Sequence, residues 1–206
     1  FLSPDRGEIL LNGRPVRFRS PAESVALGVG MLHQDPLDFP ALRVIDNFLL
    51  GSPEGWWLDR HRNRSRLIEL ASQFDFKLDP DALVSDLSIG ERQQLEIIRL
   101  LRLGVSVLIL DEPTTAISAQ QKEKLFETLH QLAGQGKTVI FVSHKLEEVR
   151  SLCSMVTVMA HGKVTGEAIM PCPTEGLVQM MFGRTLTVGR RCAVAFGKPL
   201  LELENI

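Results

Sequence analysis

Two adjacent carboxylates, Asp111 and Glu112, follow a run of large apolar residues, Val107-Leu108-Ile109-Leu110, and precede Pro113. Four apolar residues without polar alternation predict a strand buried on both faces, the kind found inside parallel sheets. Ligands of open α/β sheets bind beyond the carboxyl ends of the strands, which is where these acids fall. There, one carboxylate can hold a metal and its neighbour can take a proton from water. Proline brings no N–H to a ladder, so the strand stops at Pro113.

Two other short apolar runs end in polar side chains. Val29 to Leu32 leads into His33-Gln34-Asp35-Pro36, and Val139 to Val142 leads into Ser143-His144-Lys145. If the three strands are parallel neighbours, Gln34, Asp111 with Glu112, and His144 share one sheet edge. A further chemical candidate opens a helix. Ser88 and Glu91 have the S-x-x-E spacing of a capping box, so Ser88 can simply cap. The same Ser-x-Gly turn also offers N–H groups, a hydroxyl and a positive dipole end to a phosphate, and both roles can hold at once. By contrast, Gly134-Gln135-Gly136-Lys137-Thr138 is read as an ordinary helix-to-strand turn. A phosphate loop would need Gly where Gln131 stands and would have to open a helix, not a strand.

The elements that must position these residues suit a soluble globular chain. The 206 residues are 44% apolar and 23% charged, enough for one domain with a good core. A net charge of −2 gives no bulk electrostatic case for nucleic acid or an anionic membrane. Cys153, Cys172 and Cys192 form no metal-ligand spacing, and an odd count without a secretory signal fits a reducing compartment. No apolar run approaches the ~18 residues of a membrane span. Phe1-Leu2-Ser3-Pro4 reads like the middle of a longer protein.

In chain order, Asn12-Gly13 between short apolar runs predicts a hairpin within Gly7 to Phe18. Ser20-Pro21 opens a short helix over Ala22 to Leu27. Leu42 to Leu50 reads as helical. After Trp56-Trp57 the basic run Asp59 to Arg66 reads as a solvated helix face rather than a nucleic-acid surface, leading into the helical Leu67 to Phe74. Leu87 to Leu103 predicts an amphipathic helix stopped by Gly104, and Ala119 to Ala133 another. Residues from about 36 to 103 read as a mostly helical insertion in an α/β core. Val139 to Val142 predicts a second fully buried strand, and Leu146 to Cys153 a helix. Met155 to Met159 and Gly162 to Ala168 predict two strands around His161-Gly162. Residues 171–198 read as a helix and linker, and Pro199 to Ile206 as the start of a new strand.

With these residues placed, the motifs resemble the ATP-binding subunits of ABC transporters over nearly the whole chain. L-S-I-G-E at Leu87 to Glu91 is similar to the signature loop, and V-L-I-L-D-E-P-T-T at Val107 to Thr115 to the Walker B strand. H-Q-D-P at His33 to Pro36 is similar to the Q-loop, and V-S-H-K at Val142 to Lys145 to the switch-histidine loop. The stretches around Gly30 to Gly51, Ser143 to Val149 and Gly176 to Arg184 resemble the simple-sugar and nucleoside importer branch, whose subunits carry two cassettes per polypeptide. The resemblance implies a P-loop NTPase-like (RecA-like) α/β core sheet with a mostly helical subdomain inserted at about 36–103. It implies a partial cassette over 1–170, a helix and linker over 171–198 and the start of a second cassette at 199–206.

It further implies Mg²⁺-dependent ATP hydrolysis driving solute import. Asp111 would position Mg²⁺ through water, with Gln34 sensing nucleotide beside it. Glu112 would orient or deprotonate the attacking water, and His144 would contact the γ-phosphate. Ser88, Ile89, Gly90 and Glu91 would serve the nucleotide held by the opposite cassette. The partners implied are permease subunits, a second cassette in the same polypeptide and, indirectly, a solute-binding protein, at the cytoplasmic face of the membrane and without nucleic acid. The alternative is a soluble ABC-type ATPase acting on ribosomes or DNA, whose long charged linker or coiled coils are not seen here.

Three departures stand out. The Walker A loop is expected before Phe1, so the chain alone is expected to be inactive. Glu91 stands where the family more often has Gln, adding negative charge near the opposite cassette's phosphates. Ser118 stands where many relatives place the D-loop aspartate.

Overall fold

The structure, a computed structural model, describes residues 4–51 and 59–183. Two compact units, Phe1–Cys153 and Ser154–Ile206, make up the chain.

The first unit begins with a hairpin of β1 (Ile9–Leu11) and β2 (Arg14–Val16), with Ile9 opposite Val16. Asn12 and Gly13 have φ of 52° and 74°, the positive pair that a two-residue type I′ turn demands and that Asn-Gly supplies. Helix α1 (Pro21–Ala26) follows, capped by the Ser20 hydroxyl.

The centre of the unit is a three-stranded parallel sheet of β3 (Val29–Leu32), β4 (Val107–Asp111) and β5 (Thr138–Val142), in the order β3-β4-β5. Leu32 is registered with Leu110, and Asp111 with Val142, so all three strands end together. Between β3 and β4 lie α2 (Val44–Leu49), α3 (Arg60–Gln73), a 3-10 turn (Val84–Asp86) and α4 (Ile89–Arg102). After β4 come α5 (Ala119–Gly134), β5 and α6 (Leu146–Leu152).

One face of the sheet is covered. Leu32, Leu108 and Leu110 join Phe48, Leu67, Ile97, Ile98 and Leu129 in the buried core, with Val139 and Phe141 at its margin. Phe126 of α5 meets Phe141 edge-to-face at 5.9 Å between centroids. The approach of α4 is close enough that a Cβ on Gly30 would sit 3.0 Å from both Leu100 and Val105 side chains, so this strand position favours glycine.

The opposite face corrects the expectation of strands buried on both sides. Met31, Ile140 and Val142 are 36%, 47% and 45% exposed, while Val107, Ile109 and Asp111 of β4 are half-buried. No described strand residue on that face is buried. An apolar run states what a strand tolerates on each side, and burial depends on what packs there.

The basic run lies on a largely solvated helix face, as expected. Helix α3 starts at Arg60 because the Asp59 carboxylate accepts the Arg62 N–H at 3.0 Å and arginine is a good helix former. Its arginines are used locally. Arg64 makes a bidentate pair with Asp81 at 2.8 and 2.7 Å, and Arg60 meets Asp46 at 2.7 Å. The Arg64 guanidinium holds the Asp81 carboxyl below the usual carboxylate range.

The second unit pairs β6 (Met155–Ala160) with β7 (Lys163–Ile169) through a His161-Gly162 turn, and adds α7 (Thr174–Phe182), whose Leu177 is buried. The predicted linker beyond residue 183, the strand at Pro199 to Ile206, and Trp56-Trp57 lie outside the described residues.

Candidate functional site

The parallel order and common register bring the ends of β3, β4 and β5 to one edge. Gln34 stands exposed two residues past β3, Asp111 closes β4, and His144 follows β5 by two residues. Ser88 and its turn open α4, the helix that leads into β4.

Glu112 is the pivot of this edge. Its N–H donates to Val142 O at 3.0 Å, so it still belongs to the β4–β5 ladder. Its φ is 47°, a left-handed conformation uncommon for a residue with a Cβ. One carboxylate oxygen, Oε1, lies 2.7 Å from His144 Nδ1. An ionised carboxylate can only accept, so with Glu112 ionised the proton of this bond sits on Nδ1. The other oxygen, Oε2, is buried without a hydrogen-bond partner. A buried acceptor left open in this way suits a water or a ligand group.

The two loops that carry Glu112 and His144 are tied together beneath the edge by Glu148 of α6, which is 4% exposed. Its Oε2 accepts from Thr114 Oγ1 at 2.8 Å and from Ser143 Oγ at 3.2 Å. Its Oε1 lies 3.4 Å from Lys145 Nζ, which also donates to Thr114 O at 3.3 Å and to Thr114 Oγ1 at 3.1 Å. Gln93 of α4, almost fully buried, donates to Pro113 O at 2.8 Å and fastens the Glu112 loop from the other side.

The loop after Gln34 is pinned as firmly. Arg92 of α4 grips Asp38 with two bonds of 2.7 and 2.6 Å. Asn47 of α2 accepts the Phe39 N–H at 2.8 Å and donates to Phe39 O at 3.1 Å. Glu96 of α4 is buried and pairs with Arg99 at 3.1 Å through Oε1, while its Oε2 has no hydrogen-bond partner among the described residues. Burial pushes its carboxyl above the ordinary value, with Arg99 opposing. Leu37 and Phe39 nonetheless point outward, 59% and 58% exposed.

At the start of α4 both readings of Ser88 have a basis. The capping box is complete: Glu91 N–H donates to Ser88 Oγ at 3.3 Å, and Glu91 Oε2 accepts the Ser88 N–H at 2.8 Å. Ile89 and Gly90 are the first residues of the helix, at its positive end.

The strand ends were visible as sequence, and the structure brings Asp111, Glu112 and His144 together. Glu148, Gln93 and Arg92 were not singled out, because their partners lie on other elements. Gln121 was within reach: Ser118 and Gln121 carry the S-x-x-Q spacing of a second capping box, and the box forms.

Comparison with known proteins gives a consistent picture. The ABC transporter family model matches residues 1–115, more than half of the chain. Arabinose import ATP-binding protein AraG 1 of Burkholderia cenocepacia is 36% identical over 187 residues, which are 89% of this chain and 37% of that protein. Nucleoside import ATP-binding protein NupA of Lactococcus lactis is 31% identical over all of this chain and 42% of its own length. The chain thus spans about two-fifths of these curated relatives. Among solved structures, a nucleotide-free ATP-binding cassette from an ABC transporter superposes with a TM-score of 0.71 at 20% identity, over 82% of this chain and 71% of that one. At that identity the likeness shows the fold: a mixed α/β cassette around a parallel sheet.

Proposed function

The chain belongs to the ABC transporter family, and from that premise we propose that it is part of the ATP-binding subunit of an importer, coupling Mg-ATP hydrolysis to uptake of a simple sugar or nucleoside. The observation that carries the reading is the Glu112–His144 pair: one carboxylate oxygen held at 2.7 Å by the imidazole, the other buried and open.

A carboxylate clamped on one oxygen presents the other in a fixed direction. Glu112 Oε2 accepts a proton from a water as that water's oxygen attacks the γ-phosphorus and the bond to the leaving ADP oxygen breaks. His144 orients the carboxylate through Nδ1, and its imidazole steadies charge on the departing phosphoryl group. Phosphoryl transfer depends chiefly on positioning and charge stabilisation, so such an edge suffices once the nucleotide is held. Among the described residues no group of three or more His, Cys, Asp or Glu is placed to hold a metal ion by itself. Mg²⁺ commonly uses one or two carboxylates plus substrate phosphates, so Asp111 with Gln34 fits it; bound there, the ion would neutralise phosphate charge. Ser88, Ile89, Gly90 and Glu91 serve the phosphates of a nucleotide held by a second cassette.

The 206 residues contain no G-x-x-x-x-G-K-[ST] loop, so on this reading they hold triphosphate weakly by themselves and act within a larger polypeptide. Leu37 and Phe39, exposed on the loop behind Gln34, offer permease subunits an apolar contact that moves with nucleotide state. No helix among the described residues is long and apolar enough to cross a membrane; on this reading the permease partners hold the chain at the cytoplasmic face.

The test is Glu112→Gln in the full-length protein. ATP binding is expected to persist while steady-state hydrolysis falls by about 10²–10⁴-fold, the range of a lost general base. Unchanged turnover would remove Glu112 from this role.

A further inference from the structure

The Ser88 hydroxyl is fully committed inside this chain. A hydroxyl has one proton and two lone pairs. Ser88 Oγ–H donates to Glu91 Oε2 at 2.7 Å, and Oγ accepts from the Glu91 N–H at 3.3 Å and from Gln121 Nε2 at 3.1 Å. No capacity remains for a phosphate.

The third partner arrives from a distant part of the fold. Gln121 stands in the first turn of α5, where it completes the second capping box. Its N–H donates to Ser118 Oγ at 3.2 Å, and its Oε1 accepts the Ser118 N–H at 3.0 Å. The two faces of one amide therefore join the capping boxes of α4 and α5. The approach is tight: a Cβ on Gly90 would sit 2.7 Å from Gln121 Cδ and Nε2. Only a residue without a side chain lets the amide reach Ser88 across the turn. Glu91 strengthens the hold, because a carboxylate accepts the hydroxyl proton in a charge-assisted bond.

Resting on the ATPase reading above, we infer that Gln121 is a positioning residue that clasps the Ser88 turn shut and couples it, within one chain, to the loop leaving Glu112. The segment from Glu112 to Ser118 ends at the residue whose backbone holds the Gln121 carbonyl. A shift of that segment withdraws the amide and removes the contact that holds the turn, while the Ser88 proton stays donated to Glu91 Oε2 until the turn itself rearranges. Conversely, Ser88 can donate to a phosphate only after its proton leaves Glu91, and the clasp holds the turn in the arrangement where it does not. The clasped state is the low-affinity state of this turn.

Two variants separate the clasp from helix capping. Gln121→Leu keeps the bulk and removes the amide; Ser118→Ala removes a capping hydroxyl from the same helix and leaves the Gln121–Ser88 bond in place. In the 206-residue chain, amide hydrogen exchange at Gly90 and Glu91 is expected to quicken several-fold in Gln121→Leu and to stay unchanged in Ser118→Ala. In the full-length protein, Gln121→Leu is expected to lower the KM for Mg-ATP between about two- and ten-fold, the worth of one hydrogen bond, with kcat within two-fold. Ser118→Ala is expected to leave KM alone. Unchanged exchange in Gln121→Leu overturns the clasp. Faster exchange with an unchanged or raised KM overturns its control of the turn, as does an equal fall in KM in Ser118→Ala. A full-length wild type that hydrolyses no Mg-ATP removes the ATPase reading itself, while the exchange result still decides whether the clasp exists.

Discussion

Glu148 offers a demanding test of how the candidate site is held, because it touches the loops that carry Glu112 and His144 and takes no part in the proposed chemistry. Consider Glu148→Ala. The truncation removes the acceptor of the Thr114 and Ser143 hydroxyls and the partner of Lys145. These losses differ in weight. Thr114 is 4% exposed, so water cannot replace its lost acceptor, and an unsatisfied buried hydroxyl costs about 1–3 kcal/mol. Ser143 and Lys145 reach solvent and rehydrate, which leaves little net loss. The vacated stem adds roughly 1 kcal/mol of lost burial. The sum is a destabilisation of about 2–4 kcal/mol, a shift of about 1–2 M in the urea midpoint followed by far-UV circular dichroism. Thr114→Val closes a double-mutant cycle: with the hydroxyl gone, Glu148→Ala should cost less, giving a coupling of about 1–2 kcal/mol. A change below about 0.5 kcal/mol for Glu148→Ala, or no coupling to Thr114, would refute the claim that this carboxylate ties the loops together.

Two further outcomes follow from burial. The Glu96 carboxyl is raised above its ordinary 4.5 by burial, so the folded chain binds that proton more tightly than the unfolded one. Its ionised form therefore weighs against folding above the raised value, and the penalty fades as pH falls through it toward 4.5. Urea unfolding across this window should show Glu96→Gln losing less stability with rising pH than wild type; parallel profiles would contradict the assignment. Leu110→Ala, in the covered face of β4, is expected to cost about 2–5 kcal/mol, whereas Ile140→Ala on the exposed face of β5 should cost under about 1 kcal/mol. Similar losses at both positions in thermal unfolding would mean that the second face is covered.

Much of the site was legible before the fold was known, because its main residues sit at strand ends. An apolar run that stops at an acid, an amide or an imidazole needs only parallel neighbours to converge, and β3, β4 and β5 provide them. The Asn12-Gly13 turn and the Ser88–Glu91 box were readable for the same reason: their hydrogen bonds close within four residues. The run from Asp59 to Arg66 was readable as a solvated helix face, but its ion-pair partners Asp46 and Asp81 were not, because they lie on other segments.

The sequence by itself determined the local units and their order: which runs become strands, which serines cap helices, and which polar groups close each strand. Those features depend on dihedral preferences and on bonds between residues a few positions apart. Only the tertiary structure decided that Met31, Ile140 and Val142 on one face of the sheet stay exposed, that Glu148 and Gln93 brace the Glu112 loop, and that Gln121 occupies the last valence of Ser88. The bracing and clasping bonds join groups some twenty to thirty-odd residues apart, and the exposure of a sheet face is a property of what packs on it. No local pattern encodes such partners, because each of these contacts is made by two surfaces that lie far apart in the chain.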